Sequence, residues 1–192
     1  MTAGCPSAER AAALVAGSAT PRDEDTTAVE TVITRAGLEL VVRPVLPSDE
    51  LALFAAWAEA VERGEFPRRP PAREEAFRRA WLEDKSCVLV ALDGDSLAGS
   101  YFIRPAYEER GSDIANAGYL VPGAHRRRGV GRALLEHSLA EARRRGFRAM
   151  LFLRVGASNP SGRMYEEAGF ERVGRIPGGL GDEDALIFWR AL

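Results

Sequence analysis

The chain has 192 residues, 46% of them hydrophobic, and a formal net charge of −2. That length and composition suit one domain with a substantial core. The near-zero charge excludes a general cationic field drawing the protein to nucleic acid or an anionic membrane. Lys85 is the sole lysine among 26 basic residues, so the arginines read as a coding bias spread over the whole chain. Cys5 and Cys87 stand far apart without metal-ligand spacing, so neither a disulfide framework nor a metal is expected. No stretch approaches the roughly 18–20 apolar residues of a membrane span. The alanine-rich run Ala11–Ala19 follows Glu9 and Arg10 and lacks the positive region of a secretory signal. A cytoplasmic protein with no membrane partner is expected.

Residues 1–28 are rich in Ala, Ser, Thr, Asp and Pro and read as a disordered tail, leaving 29–192 as the domain. Two β-branched runs between Val29 and Val45 flank Arg35-Ala36-Gly37 and predict a hairpin. Ser48 and Asp49 offer a helix N-cap, after which Leu51, Phe54, Trp57, Ala58 and Val61 recur at helical spacing to about Arg63. Three prolines at 67, 70 and 71 break that helix. A second follows over Arg73–Leu82, with Phe77 and Trp81 on one face. Cys87–Leu92 and Ser96–Ile103 form a second hairpin around Asp93-Gly94-Asp95, and a strand is predicted over Ile114–Val121. After Gly129 the spacing predicts a helix with Leu134, Leu135, Ser138, Leu139 and Ala142 on its apolar stripe, stopped by Gly146. Phe147–Val155 is the most continuous apolar strand and is expected to be central. A short helix over Pro160–Ala168 ends at Gly169, and strands near Phe170–Ile176 and Ala185–Trp189 close the chain. The order is that of an α+β fold without internal repeats.

The most informative segment is Tyr119–Leu135, "YLVPGAHRRRGVGRALL". A strand runs into a loop carrying Arg126-x-x-Gly129-x-Gly131 and then into a helix. Free N–H groups and the positive end of the helix dipole meet there, which suits a pyrophosphate. A dinucleotide fingerprint needs a third glycine that Arg132-Ala133-Leu134 lacks, and a nucleoside triphosphate loop needs a Gly-Lys-Ser/Thr that is absent. A glycine-rich turn that merely joins strand to helix is the alternative.

The run Arg126–Gly131 resembles the acyl-CoA signature of the GNAT superfamily of N-acyltransferases. "AGYLV" before it and "NPSGRMYEEAGF" (Asn159–Phe170) are similar to that superfamily's splayed strand and Asn…Tyr-Glu-x-x-Gly-Phe helix. The resemblance extends over Leu38–Leu192. "ANAGYLV" (Ala115–Val121) and "EHSLAEARRRGFRAM" resemble the branch containing the fungal azetidine-2-carboxylate acetyltransferases, which act on proline-like imino acids. The resemblance implies a mixed, mostly antiparallel sheet of about seven strands flanked by about four helices, acetyl-CoA as co-substrate, and acetylation of a small-molecule amine or amino acid. A protein N-terminus or lysine is the alternative acceptor. A non-catalytic acyl-CoA-binding module is the alternative function, and a homodimer is left open. Two departures stand out. Tyr165 lies six residues after Asn159 but seven after Ser158, whereas seven from the asparagine is the common family spacing. Leu153 occupies the place of the azetidine branch's central-strand asparagine.

Mapped residue by residue, the resemblance assigns the pantetheine arm to backbone groups of Tyr119 and Val121. The pyrophosphate falls to the amides of Arg127, Arg128, Gly129, Val130 and Gly131 with the side chains of Arg126 and Arg128. Asn159 joins the cofactor contacts. Tyr165 becomes the acid that protonates the leaving thiolate, and Asn116 a partner for the thioester oxygen. An alkylammonium is neutral in only about one molecule in a thousand at pH 7, so a base is needed; Glu62, Glu65 and Asp113 are candidates. His125 is expected in exposed loop and His137 on the surface. Arg143–Arg145 and Arg148, interleaved with Glu136 and Glu141, read as a solvated helix face rather than a nucleic-acid site.

Overall fold

The computed structural model describes residues 28–66 and 70–192. The expected N-terminal tail, apart from Ala28, and the Ala11–Ala19 run lie outside the described residues. Among the described residues eight strands form one sheet: β1 (Glu30–Ile33), β2 (Glu39–Pro44), β3 (Cys87–Asp93), β4 (Ser96–Pro105), β5 (Ile114–Leu120), β6 (Ala149–Gly156), β7 (Glu171–Ile176) and β8 (Ala185–Ala191). Their spatial order is β1-β2-β3-β4-β5-β6-β8-β7, and every neighbouring pair is antiparallel except β5 with β6. The first hairpin contributes two full strands, which raises the expected seven to eight.

Four α-helices of the described residues flank the sheet: α1 (Glu50–Glu62), α2 (Glu74–Phe77), α3 (Val130–Arg144) and α4 (Ser161–Glu167). α1 and α2 pack with Val88, Val90, Phe102 and Leu120 on one face, while α3 and α4 share a core with Leu89, Tyr101, Ala117 and Phe152 on the other. Leu53, Ala56, Trp57, Ala60 and Val61 form the buried stripe of α1, and Leu51 is 79% exposed. The predicted stripe is therefore rotated. At ~100° per residue Leu51 stands about 160° from Leu53. Asp49 stands at the start of α1 but accepts from Leu46 N and both Nη groups of Arg43, fastening the helix entrance to β2. α2 runs on into a π-helical turn over Arg78–Leu82, closed by Glu83 N to Arg78 O at 2.9 Å. Phe77 and Trp81 are buried on it as expected.

α3 carries the predicted apolar stripe, all of it buried. Its end is a Schellman closure, with Gly146 N on Arg143 O and Phe147 N on Ala142 O, both at 3.0 Å. Gly146 supplies the required positive φ of 83°. Two polar residues of α3 depart from expectation. His137 is buried where α3 packs on the sheet, its Nδ1 2.7 Å from the Tyr101 hydroxyl and its Nε2 3.3 Å from Glu30 Oε2. Glu141 is buried too, held by Arg144 and Arg145. Both can leave water because partners arrive from β1, β4 and the next helical turn.

Candidate functional site

The sheet opens in its middle. β5 and β6 pair only through Ile114–Ala149 and Ala115–Met150. Beyond that, β6 carries one extra residue relative to β8, since its partners step from Phe152–Phe188 to Val155–Leu186. A bulge of this kind bends the strand and raises its twist, and β6 turns away from β5.

The antiparallel pattern then decides which β5 groups face the cleft. Ala106 N donates to Ile114 O at 2.7 Å, so Asn116, Gly118 and Leu120, two residues apart in register, also spend their backbone groups on β4. Ala117, Tyr119 and Val121 direct theirs to the opposite side. In an uninterrupted parallel ladder Leu151 O would accept from Ala117 N. Instead Asn116 Nδ2 reaches across and donates to Leu151 O at 2.8 Å. Asn116 thus pins the apex of the cleft and leaves the Ala117 N–H directed into it. Ala117 was missed in sequence reasoning, because a bare alanine in a strand carries no signal.

At the upper end of β5 the chain makes a 3₁₀ turn over Gly123–His125. Arg127 (φ 59°) and Gly129 (φ 82°) then take left-handed backbone conformations before α3 starts. Gly129 has a second constraint, since a Cβ there would lie 3.2 Å from Thr34 Cβ of the first hairpin. The first helical bond is Ala133 N to Gly129 O. The N–H groups of Arg127–Arg132 make no hydrogen bond among the described residues, so six consecutive donors gather at the positive end of a 15-residue helix. Gly131 lies open, with Val121 Cγ2 at 3.9 Å the nearest atom to a notional Cβ.

The loop's arginine side chains are placed differently from expectation. Arg126 closes both Nη groups on the Glu65 carboxylate and donates Nε to Val121 O at 3.1 Å. Arg128 Nη1 pairs with Asp93 Oδ2 at 3.2 Å. The Arg126 guanidinium is fully committed to Glu65 and Val121, and Arg128 is engaged through Nη1, so the fixed donors facing an anion are main-chain ones, and Val121 O is already taken. Arg127 is exposed. His125 is buried, with Nε2 3.6 Å from Asp93 Oδ2 and Nδ1 without a hydrogen-bond partner among the described residues.

Below the loop, aromatic rings line the cleft on the α3 side. The Tyr119 ring meets Phe152 edge-on at 6.0 Å, and its hydroxyl lies 2.7 Å from Ser138 Oγ. Tyr165 of α4 packs on Phe152 at 4.6 Å and on Phe188 at 5.7 Å. Burial pushes the Tyr165 phenol up to about 12, partly offset by the Ser161 hydroxyl. It therefore stays protonated across the neutral range. Asn159 accepts Ser161 N at its Oδ1, 2.9 Å, closing the entrance of α4, while Ser158 N donates to Glu183. Near that point an open depression of about 570 Å³ is lined by Ala157, Ser158, Leu180, Asp182, Glu183 and Asp184. Of the candidate bases, Glu65 is paired with Arg126, which holds its carboxyl below the usual range. Asp113 is paired with Arg148 at 2.5 Å. Glu62 is exposed at the end of α1.

Residues 53–170 match the model of the acetyltransferase (GNAT) family. The chain belongs to that family. The N-acetyltransferase aca1 of Schizosaccharomyces pombe is 40% identical over 100 residues, 48% of each chain, so the match spans about half the length of that relative. A GCN5-related N-acetyltransferase from Kribbella flavida superposes with a TM-score of 0.74 at 30% identity, covering 80% of this chain and 98% of its own. The yncA protein of Salmonella typhimurium, solved with its cofactor acetyl-CoA, shares the fold at a TM-score of 0.69 and 21% identity, over 80% and 94% of the two chains. The eight-stranded sheet with four helices is thus the GNAT fold. No helix among the described residues is long and apolar enough to cross a membrane, and none of these residues form a group of three or more His, Cys, Asp or Glu able to hold a metal.

Proposed function

We propose that this GNAT chain is an acetyl-CoA-dependent N-acetyltransferase acting on the amine of a small molecule or amino acid. The observation that carries this reading is the run of six unbonded amides at Arg127–Arg132, standing directly above a strand edge that the sheet itself leaves open. A diphosphate needs clustered, preorganised donors, and an amide-bearing arm needs a strand edge to hydrogen-bond with. Both needs are met where β5, past its last pairing with β6, runs into the loop before α3.

Acetyl-CoA supplies a thioester whose acetyl group passes to the amine while its sulfur departs as a thiolate requiring a proton. The amides of Arg127 to Gly131 hold the diphosphate, and Tyr119 offers backbone groups to the pantetheine arm. The Ala117 N–H, freed by Asn116, faces the region where thioester oxygen charge would develop, and a fixed donor there lowers the barrier. Tyr165 is the proton donor to the thiolate. Asn159 serves the site through the α4 entrance that it caps. The acidic lining of the depression beside the end of β6 favours a cationic amine. The likeness of Ala115–Val121 to the azetidine branch makes a cyclic imino acid a first acceptor to try.

Calorimetry with acetyl-CoA and thiol release over an amine panel test the reading. Binding in the micromolar range with turnover on at least one amine is expected. Silence in calorimetry would overturn it, and tight binding without turnover on any amine would replace the enzyme with a binding module.

A further inference from the structure

The α1 end and the cofactor loop are stapled together by charge. Glu65 closes on both Nη groups of Arg126. Arg63 lies 3.7 Å from the same carboxylate and also pairs with Glu59. Glu59 in turn accepts from Gly123 N at 3.5 Å, and a Cβ on Gly123 would meet Glu59 Oε1 at 2.7 Å and Arg63 Nη2 at 2.9 Å. In the same arrangement Arg126 Nε holds Val121 O. Arg126 immediately precedes Arg127, whose left-handed turn begins the row of free amides.

From this we infer that Glu65 is a positioning residue for acetyl-CoA, acting through Arg126. Its carboxylate fixes the guanidinium fork, and the fork fixes both the Val121 carbonyl and the backbone entering the amide row. Arg126 therefore serves the cofactor through geometry rather than through charge on the diphosphate. The segment carrying Glu65 joins α1 to α2, on the other face of the sheet from α3, so a change at the α1 end is felt in cofactor affinity.

This inference rests on the proposed use of acetyl-CoA, and one calorimetric series separates the two. If the wild-type chain does not bind acetyl-CoA, the functional reading fails. If it binds, Glu65→Gln is expected to weaken binding by about tenfold, the scale of losing one charge-assisted bidentate pair. Arg126→Gln is expected to weaken it equally, and the double variant no further, because the pair acts as a unit. Arg126→Lys keeps the charge but loses the fork, and should bind as poorly as Arg126→Gln. In turnover, the loss should fall on KM for acetyl-CoA. Both side chains are about one-third exposed, so thermal unfolding without ligand should move by only a few degrees. Unchanged or tighter binding by Glu65→Gln would overturn the inference, as would near-native affinity in Arg126→Lys.

Discussion

Replacing Tyr165 by phenylalanine removes one oxygen from a side chain that is otherwise fixed by aromatic contacts. Its ring meets Phe152 at 4.6 Å, Phe188 at 5.7 Å and Phe170 at 5.8 Å, and phenylalanine keeps all three. Folding and acetyl-CoA affinity should therefore stay near wild type. With the phenol pushed up to about 12, only about one molecule in a thousand has lost that proton at pH 9. The donor form is present below that value and is lost only above it. Two outcomes follow for a thiol-release assay at saturating substrates. Tyr165→Phe should lose about 10²–10⁴ in kcat, equivalent to about 3–5 kcal/mol of barrier. The wild-type rate should rise with pH as the amine loses its proton and then stay level to about pH 11. A variant kcat within threefold of wild type, with no pre-steady-state burst to show that a later step is limiting, would refute the assignment. So would a fall in wild-type rate centred between pH 9 and 10.

The two glycines of the cofactor loop should behave oppositely. Gly129→Ala forces a side chain to φ 82° beside Thr34, at a cost of about 1–2 kcal/mol, lowering Tm by about 2–8 °C and weakening acetyl-CoA binding in calorimetry. Gly131→Ala meets only Val121 Cγ2, at an unstrained 3.9 Å, and gains helix propensity, so Tm should hold or rise. Asn116→Ala leaves Leu151 O without its donor and should cost about 1–3 kcal/mol in urea unfolding, with kcat falling as the cleft apex loosens. Burial, more than its charged neighbours, holds the His137 pKa below the ordinary histidine value. Its neutral form thus adds stability that is whole above about pH 6.5 and is lost as pH falls through the folded-state value. Tm should drop between pH 7 and pH 5, and His137→Gln, whose amide can still accept from Tyr101, should shrink that drop.

The order of elements was legible because it depends on local pattern. The turn at Arg35–Gly37, the α3 stripe and the apolar β6 each announce themselves within a dozen residues. The amide row was legible for the same reason, being written in Arg126-x-x-Gly129-x-Gly131. What escaped depends on partners far along the chain. Glu65 lies 61 residues from Arg126 and Asp93 lies 35 from Arg128, so nothing near the loop reveals that its arginines are already engaged. His125, His137 and Glu141 looked like surface groups because polarity predicts exposure only until another strand or helix supplies a counterpart. Leu51 misled in the opposite direction, since an apolar residue at the first turn of a helix faces solvent at little cost. Asn116 drew notice as a polar group in a strand, yet its acceptor on β6 became visible only with the tertiary structure.

The surplus residue in β6 has a consequence for how this chain tolerates change in length. Excising one residue at 153–154 would remove the bulge while leaving Val155 opposite Leu186 and on the same face as Phe152. Val155 would keep its core contacts, but the straightened strand would let the two halves of the sheet zip shut across the groove. A single codon thus separates a seamless sheet from one with a slot, and deletions in this strand should be far less forgiven than substitutions.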